Sequence, residues 1–327
     1  MDPNKENLKI LVIIPAYNEE DSLGPLLSNI KKNDIPNARM DCLVIDDGSQ
    51  DGTARVAQTH GALLIKNHQN QGVGLSLSRG IECALSRKYD LAVNIDADNQ
   101  FEPEDIKKLV APILNQEADM VVGERFGSGR PQNMPKIKYY GNKIMNRIIN
   151  TIIKGDYSDV SCGFRAYNQN ALINLNLFGK FTYTQEMFLD LYFKNINIKQ
   201  VPVRVNYFPG RRSRVAGNLF SYIWKTSKII LRSFVYFKPL KFFGIPALIT
   251  SVAGLGFVGF LFFYRLTNGS YTPFKAYGFI GVALIFFGLL LMAIGLMSDI
   301  LDKNRRINEK ILYLIKKDKF YKNNTDK

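Results

Sequence analysis

The chain has 327 residues, of which 46% are hydrophobic and 12% aromatic; this excludes a disordered polymer and suffices for one large domain with additional elements. Its formal charge of +14 admits nucleic acid, an anionic membrane surface or an anionic substrate as partner, and the placement of the charge decides among them. Three widely separated cysteines, Cys42, Cys83 and Cys162, form no CxxC pair; they argue against a disulfide framework or a zinc knuckle and suit a reducing, cytosolic setting.

The polar N-terminus MDPNKENLK runs straight into an apolar strand, so no cleavable signal peptide is expected. Strand-like runs then alternate with helical patterns. KILVIIP (9–15) is followed by a helix from Ser22, DCLVIDD (41–47) by one from Thr53, and ALLIK (62–66) by one near Gly74 to Arg87. LAVNIDAD (91–98) is followed by a helix from Pro103, and MVVGE (120–124) adds a fifth strand. This alternation predicts an α/β fold with a parallel sheet and crossover helices, and the nearly continuous apolar runs predict strands covered on both faces. Ligands of such sheets bind beyond the carboxyl ends of the strands, where Asn18, Glu19, Asp46, Asp47, Asp96 and Asp98 fall.

After Arg125 the regularity breaks. Ile144, Ile148, Ile149 and Ile152 make one helical stripe, and SDVSCGFRAY, FTYTQEMFLDLYF and IKQVPVRVNYF read as a loop and strand, a helix, and a last strand. From Arg204 to Lys241 there are nine cations and no acidic residue. Within that stretch Leu219, Ile223, Trp224, Ile230, Phe234 and Phe237 alternate with Lys225, Lys228 and Arg232 at spacings that suit an amphipathic interfacial helix, or a helix packed on the domain's own core.

Phe242–Phe263 and Ala276–Ser298 carry no charge, and each exceeds the roughly 20 residues a helix needs to cross the hydrocarbon core. Buried helices of a soluble core are usually shorter and partly polar, so both segments read as transmembrane helices. Gly254, Gly256, Gly259, Gly281, Gly288 and Gly295 suit close helix contact in lipid. The connecting loop holds only Arg265 and Lys275, whereas the tail has Lys303, Arg305, Arg306, Lys310, Lys316 and Lys317; the positive-inside rule therefore puts both ends in the cytosol. The expected organisation is a cytosolic domain over 1–215, a juxtamembrane segment over 216–241, spans at 242–263 and 276–298 within 242–298, and a basic cytosolic tail over 299–327.

Asp96 and Asp98 end a buried strand with one small residue between them, and Gln100 adds a neutral oxygen; Mg2+ and Mn2+ prefer such oxygen sites and complete their shell with substrate phosphates. An isolated DxD pair recurs by chance in many proteins, and the strand end is what gives this one weight. It lies in one of five motifs that occur in order: PAYNEE (15–20), VIDDGSQDGT (44–53), NQGVGLSLSRGIECAL (70–85), DADNQ (96–100) and SCGFRAY (161–167). Together they resemble the inverting family-two glycosyltransferases with a GT-A fold, a Rossmann-like nucleotide-diphospho-sugar transferase domain. With GERF (123–126) and the terminal helix pair, the chain is most similar to the polyprenyl-phosphate subgroup that includes dolichyl-phosphate mannose synthase and its glucosyl relatives, over about residues 8 to 300.

The resemblance implies a nucleoside site lined by Pro15, Tyr17, Glu19 and Asp47, and a metal held by Asp96, Asp98 and Gln100. Glu19 and Asp47 have the alternative of capping the helices that follow them. Asp98, Arg125 and Glu186 are the implied catalytic residues, although Glu186 has the alternative of orienting an arginine or a sugar hydroxyl. Arg125 and Lys138, with Arg130 nearby, resemble the cations that receive the acceptor phosphate; Arg211, Arg212 and Arg214 resemble the basic segment that closes over the donor diphosphate. Here Ser213-Arg214 replaces the commoner Ser-Lys. Attraction of anionic headgroups is the simpler alternative for each of these cations.

The implied reaction takes one sugar from a nucleotide-diphosphate sugar (UDP-glucose, UDP-GlcNAc or GDP-mannose) to polyprenyl or dolichyl phosphate at the cytosolic membrane face, with inversion and with Mg2+ or Mn2+. The implied partners are the donor, the lipid acceptor and the membrane, with a homo-oligomer through the spans left open. A polysaccharide synthase or transferase with a carbohydrate acceptor is the nearest rival, but no QxxRW segment is found and two spans make no channel. A dinucleotide oxidoreductase lacks the third glycine, since Leu77 stands in its place, and nucleic-acid binding leaves the spans and strand-end acids unexplained.

Overall fold

The computed structural model describes residues 7–176, 183–208, 235 and 239–321. It divides into two compact units, residues 1–223 with 315–327, and residues 224–314.

The first unit is built on strands β1 (Leu8–Ala16), β2 (Ala38–Asp46), β3 (Leu63–Lys66), β4 (Leu91–Asn94), β5 (Met120–Glu124), β6 (Arg165–Asn168) and β7 (Ile198–Pro202). They form one sheet in the order β3-β2-β1-β4-β6-β5-β7. Helices α1 (Glu20–Lys32), α2 (Thr53–Thr59), α3 (Val73–Ser86) and α4 (Ile106–Leu114) follow the first four strands as the alternation predicts. Ile10 to Ile14 are all fully buried on β1, as a strand covered on both faces requires.

Register fixes the site. β1 pairs parallel with β2 so that Ala16 faces Asp46, and with β4 so that Ile13 faces Asn94. Three strands consequently end at one edge, each delivering its next few residues to the same crevice.

The far half departs from simple alternation. β6 lies between β4 and β5 and is antiparallel to both, so the fifth predicted strand is not the neighbour of the fourth. Helices α5 (Lys136–Ile153), α6 (Gln169–Asn174) and α7 (Tyr183–Phe193) complete this half. The isoleucine stripe of α5 is split: Ile149 and Ile152 are buried, whereas Ile144 is 58% exposed. At 100° per residue Ile144 lies about 80° from Ile152, far enough to leave the core face.

The second unit contains α8 (Pro239–Asn268) and most of α9 (Lys275–Tyr321), two helices long and apolar enough to cross a membrane, with mean hydropathy of 2.0 and 2.7 over their most apolar stretches. The two predicted spans fall inside them, and α9 continues as helix well past Ser298. Their contact is made by small residues. A methyl group on Gly254 would lie 2.6 Å from the Gly281 carbonyl oxygen, and one on Gly288 would lie 2.8 Å from that of Ala247. Gly256 and Gly259, by contrast, have open space where a side chain would be.

Candidate active site

The β1–α1 and β2–α2 connections are stitched together. Asn18, in the left-handed region at φ 53°, donates its backbone N–H to Ser49 Oγ at 3.0 Å and accepts from Gln50 N at 2.9 Å. Pro15 and Tyr17 are half-buried beside it. Glu19 is buried at the start of α1, where its side chain caps no backbone N–H but accepts from Ser22 Oγ at 2.6 Å. Its own N–H donates to Thr53 Oγ1 at 2.9 Å, fixing the starts of both helices.

Asp47 does not cap α2, whose first position is taken by Gly52. Its carboxylate accepts from Gln71 N at 3.0 Å, from Gly72 N at 2.8 Å and from Asn67 Nδ2 at 2.6 Å, and so shapes the loop that opens α3. Asn67 in turn accepts from Arg79. Gly72 stands at φ 94°, which permits the close approach of its N–H to the carboxylate. Neighbouring Asp46 accepts from Ser49 N at 2.8 Å through Oδ1, while its Oδ2 is buried without a hydrogen-bond partner.

Beyond β4, Asp98 Oδ1 accepts from Gln100 N at 3.1 Å across Asn99, itself at φ 59°. The turn keeps Asp98 near enough to Asp96 for its charge to be felt there. Asp96 keeps an exposed edge, yet burial and then the charge of Asp98 push its carboxyl from 3.8 up to about 7, while Arg125 and Lys138 work in the opposite direction. Among the described residues no third acid, histidine or cysteine completes a metal-binding group with this pair. A buried carboxylate crowded by a second, as Asp96 is by Asp98, fits a divalent cation that takes its other ligands from a diphosphate. Gln100 is half-buried alongside, and its backbone carbonyl accepts from Asn206 N at 2.8 Å.

The cationic side is organised by a residue outside the predicted set. Arg125, directly after β5, forms a bidentate pair with Asp159: Nε to Oδ2 at 2.6 Å and Nη2 to Oδ1 at 2.9 Å. The Asp159 side chain is fully buried and that of Arg125 is 8% exposed. Burial opposes the charge of Arg125, but Asp159 more than offsets it and holds the guanidinium above its ordinary pKa. Ser161 Oγ accepts from Arg125 Nη2 at 2.9 Å and donates to Asn142 Oδ1 at 3.1 Å, tying the arginine to α5. Arg165, fully buried, donates to the carbonyls of Val160 and Cys162 and fixes the loop that carries Asp159 and Ser161.

Lys138, on the first turn of α5, stands with its Nζ 5.0 Å above the Tyr207 ring. Burial and the neighbouring Arg125 lower its pKa, while Asp98 and Asp96 raise it. Tyr207 Oη lies 3.5 Å from Arg125 Nη1 and so stands between the two cations. The strand-end carboxylates and this cation pair therefore share one cleft. Its far wall is tethered by Arg204 N donating to buried Asp105 at 2.6 Å and by a bridge between Phe101 and Val205.

Arg130 lies on the exposed loop before α5 and donates to the Met134 carbonyl at 2.7 Å. Glu186 is half-buried on the first turn of α7, and the charges that dominate at Asp96 come from Asp98, Arg125, Lys138 and Glu19 instead. Arg211, Arg212 and Arg214 lie outside the described residues, as does nearly all of 216–241. Asp159, Ser161, Asn142, Asn67 and Tyr207 were not among the predicted residues. The signal for Asp159 was an acid two residues before the SCGFRAY motif and without an apolar period of its own.

The family model described as "Glycosyl transferase family 2" matches residues 11–175, half of the chain. Glycosyltransferase AglJ of Haloferax volcanii is 26% identical over 92% of this chain and 97% of its own length. The UDP-N-acetylglucosamine–dolichyl-phosphate N-acetylglucosaminyltransferase of Methanococcus voltae is 32% identical over 61% of this chain and 86% of its own. Among solved structures, glucosyl-3-phosphoglycerate synthase of Mycobacterium tuberculosis, in complex with Mn2+, UDP-glucose and phosphoglyceric acid, aligns with a TM-score of 0.54. That alignment is 20% identical and covers 68% of this chain and 79% of the other, a likeness of fold. The strand-end carboxylates thus stand in a sheet of the GT-A type, and the chain belongs to glycosyltransferase family 2.

Proposed function

We propose that the protein transfers a single hexose-type sugar from a nucleotide-diphosphate donor to a polyprenyl or dolichyl phosphate at the cytosolic face of a membrane, inverting the anomeric centre. The observation that carries this reading is the cation pair Arg125 and Lys138, drawn together on either side of Tyr207 in the cleft that holds Asp96. A carbohydrate acceptor would need a base to remove a hydroxyl proton. An acceptor phosphate is already anionic and needs cations to bring it beside a diphosphate. Relatives named for dolichyl- and polyprenyl-phosphate acceptors, and two helices long enough to span a bilayer, support the same choice.

In this scheme Asp96 and Asp98, with Gln100, hold Mg2+ or Mn2+, which supplies charge neutralisation of the donor diphosphate. Pro15, Tyr17, Glu19 and Asp47 line the nucleoside. Arg125, locked by Asp159, and Lys138, raised on Tyr207, gather the acceptor phosphate on the opposite side. A phosphate oxygen forms the new bond to the anomeric carbon, the bond from that carbon to the diphosphate breaks, and its electron pair leaves on the nucleoside diphosphate. No proton transfer is required, so Glu186 is left to orient the sugar. Arg211, Arg212 and Arg214 are assigned to the diphosphate by resemblance alone. The cytosolic site and the placement of both termini rest on the distribution of cations, and the domain limits of 1–215, 216–241, 242–298 and 299–327 on where the sequence turns uncharged and apolar.

The test is incubation of the purified full chain and polyprenyl phosphate with a panel of nucleotide sugars and Mn2+, followed by mass analysis of the lipid. One donor should give a lipid heavier by one sugar residue. Transfer to a glycan with every polyprenyl phosphate left unmodified would overturn the reading.

A further inference from the structure

Among the described residues up to 208, the large apolar side chains that remain exposed are Ile137, Tyr140, Ile144 and Phe208, and three of the four lie on α5. Ile137, Tyr140 and Ile144 are 54%, 62% and 58% exposed. Their spacing of three and four residues puts them on one stripe, within about 60° of one another around the helix. Lys136, Lys143 and Arg147, all exposed, form a second stripe within about 40° along one flank. The opposite side of the same helix carries Lys138 into the cleft and buries Met145, Asn146 and Ile149. An apolar stripe flanked by cations has no purpose in water, and it matches the apolar edge and anionic headgroups of a bilayer surface.

We propose that α5 is a membrane-contacting helix: Ile137, Tyr140 and Ile144 enter the headgroup and acyl boundary while Lys136, Lys143 and Arg147 bind anionic headgroups. Tyr140 has the apolar ring and polar tip that favour this depth. The helix that supplies Lys138 to the cleft thereby touches the lipid itself, so a lipid phosphate reaches Lys138 by moving along one helix and not through bulk water. This inference rests on the chain being membrane-bound but is independent of which acceptor is used.

The full chain with Cys83→Ser would be labelled with a polarity-sensitive fluorophore at Ile144→Cys and placed, one copy per disc, in lipid nanodiscs containing nitroxide-bearing phospholipid. The comparison position is Lys32→Cys, exposed at the end of α1, the helix between β1 and β2. Lipid nitroxide should quench the Ile144 probe severalfold more than the Lys32 probe, and Lys136→Glu/Lys143→Glu/Arg147→Glu should weaken that quenching in anionic lipid more than in neutral lipid. Equal quenching at the two positions would place the stripe in water, or under another part of the chain, and overturn the proposal. Quenching that appears only with a nitroxide-labelled second copy in the disc would make the stripe an interface between chains and overturn it equally. Ile137→Asn/Ile144→Asn should raise the KM for a long-chain polyprenyl phosphate about tenfold and leave the donor KM unchanged. If no polyprenyl phosphate serves as acceptor while the Ile144 probe is still quenched, the acceptor reading falls and the membrane contact stands.

Discussion

The two halves of the catalytic unit build their share of the cleft by different means. In the half up to Gln100, register does the positioning: Ala16, Asp46 and Asn94 end neighbouring parallel strands, and the acids follow within a few residues. In the half after β5, the β5–β7 register delivers the Arg125 backbone, but no ladder aims its guanidinium. It is held by Asp159, Ser161 and Tyr207, which are 34, 36 and 82 residues away in sequence. Backbone geometry makes the first half robust to side-chain loss. The second half is a clamp whose shape depends on a buried ion pair, so its function and its stability are coupled.

The sharpest contrast is between removing a carboxylate from each half. Asp98→Ala deletes a metal ligand from a turn that the backbone still closes, so turnover should fall by about 10³-fold or more with folding and membrane association intact. Manganese-dependent product formation measures the first, and a thermal unfolding scan the second. Retained turnover would remove the metal assignment, and a large loss of stability would deny that register alone supports this half.

Asp159→Ala should lower turnover and stability together. It leaves a nearly buried guanidinium without its partner, a change that typically costs about 3–5 kcal/mol. Arg125→Ala should depress acceptor transfer more than hydrolysis of the donor, and an equal loss of both would argue against a role at the acceptor phosphate. The double variant Arg125→Ala/Asp159→Ala should be more stable than Asp159→Ala alone, because the unpaired charge is gone. Denaturant titration of the three variants gives the coupling directly. An additive result would mean that Asp159 does not act through Arg125.

This division also explains what was legible in the sequence. The carboxylates at Asp47, Asp96 and Asp98 were readable because a strand end is a local pattern, an apolar run broken by acids. The two apolar helices were readable from length and composition. The insertion of β6 between β4 and β5 was not, because a four-residue strand, Arg165–Asn168, carries a buried arginine and no apolar run. The Arg125–Asp159 pair was not, because pairing across 34 residues leaves no period. Ile144 was misgrouped because isoleucines one turn apart share a stripe whether the far side of it is core or not, and only the neighbouring elements decide.

Asn67 offers the gentlest probe of the first half. It is 1% exposed, donates to Asp47 Oδ1 at 2.6 Å and to Ser76 Oγ at 3.5 Å, and accepts from Arg79, so its part at the site is to aim a carboxylate. Asn67→Ala removes one of three donors to Asp47, and the N–H groups of Gln71 and Gly72 remain. One buried hydrogen bond is worth about 1 kcal/mol net, so the donor KM should rise about fivefold with kcat nearly unchanged. Asn67→Asp should do more harm than alanine, since it sets a second carboxylate against Asp47 in a buried site. If alanine and aspartate were equally mild, Asp47 would be held by the backbone alone, and the contrast between a register-built half and a clamp-built half would become sharper still.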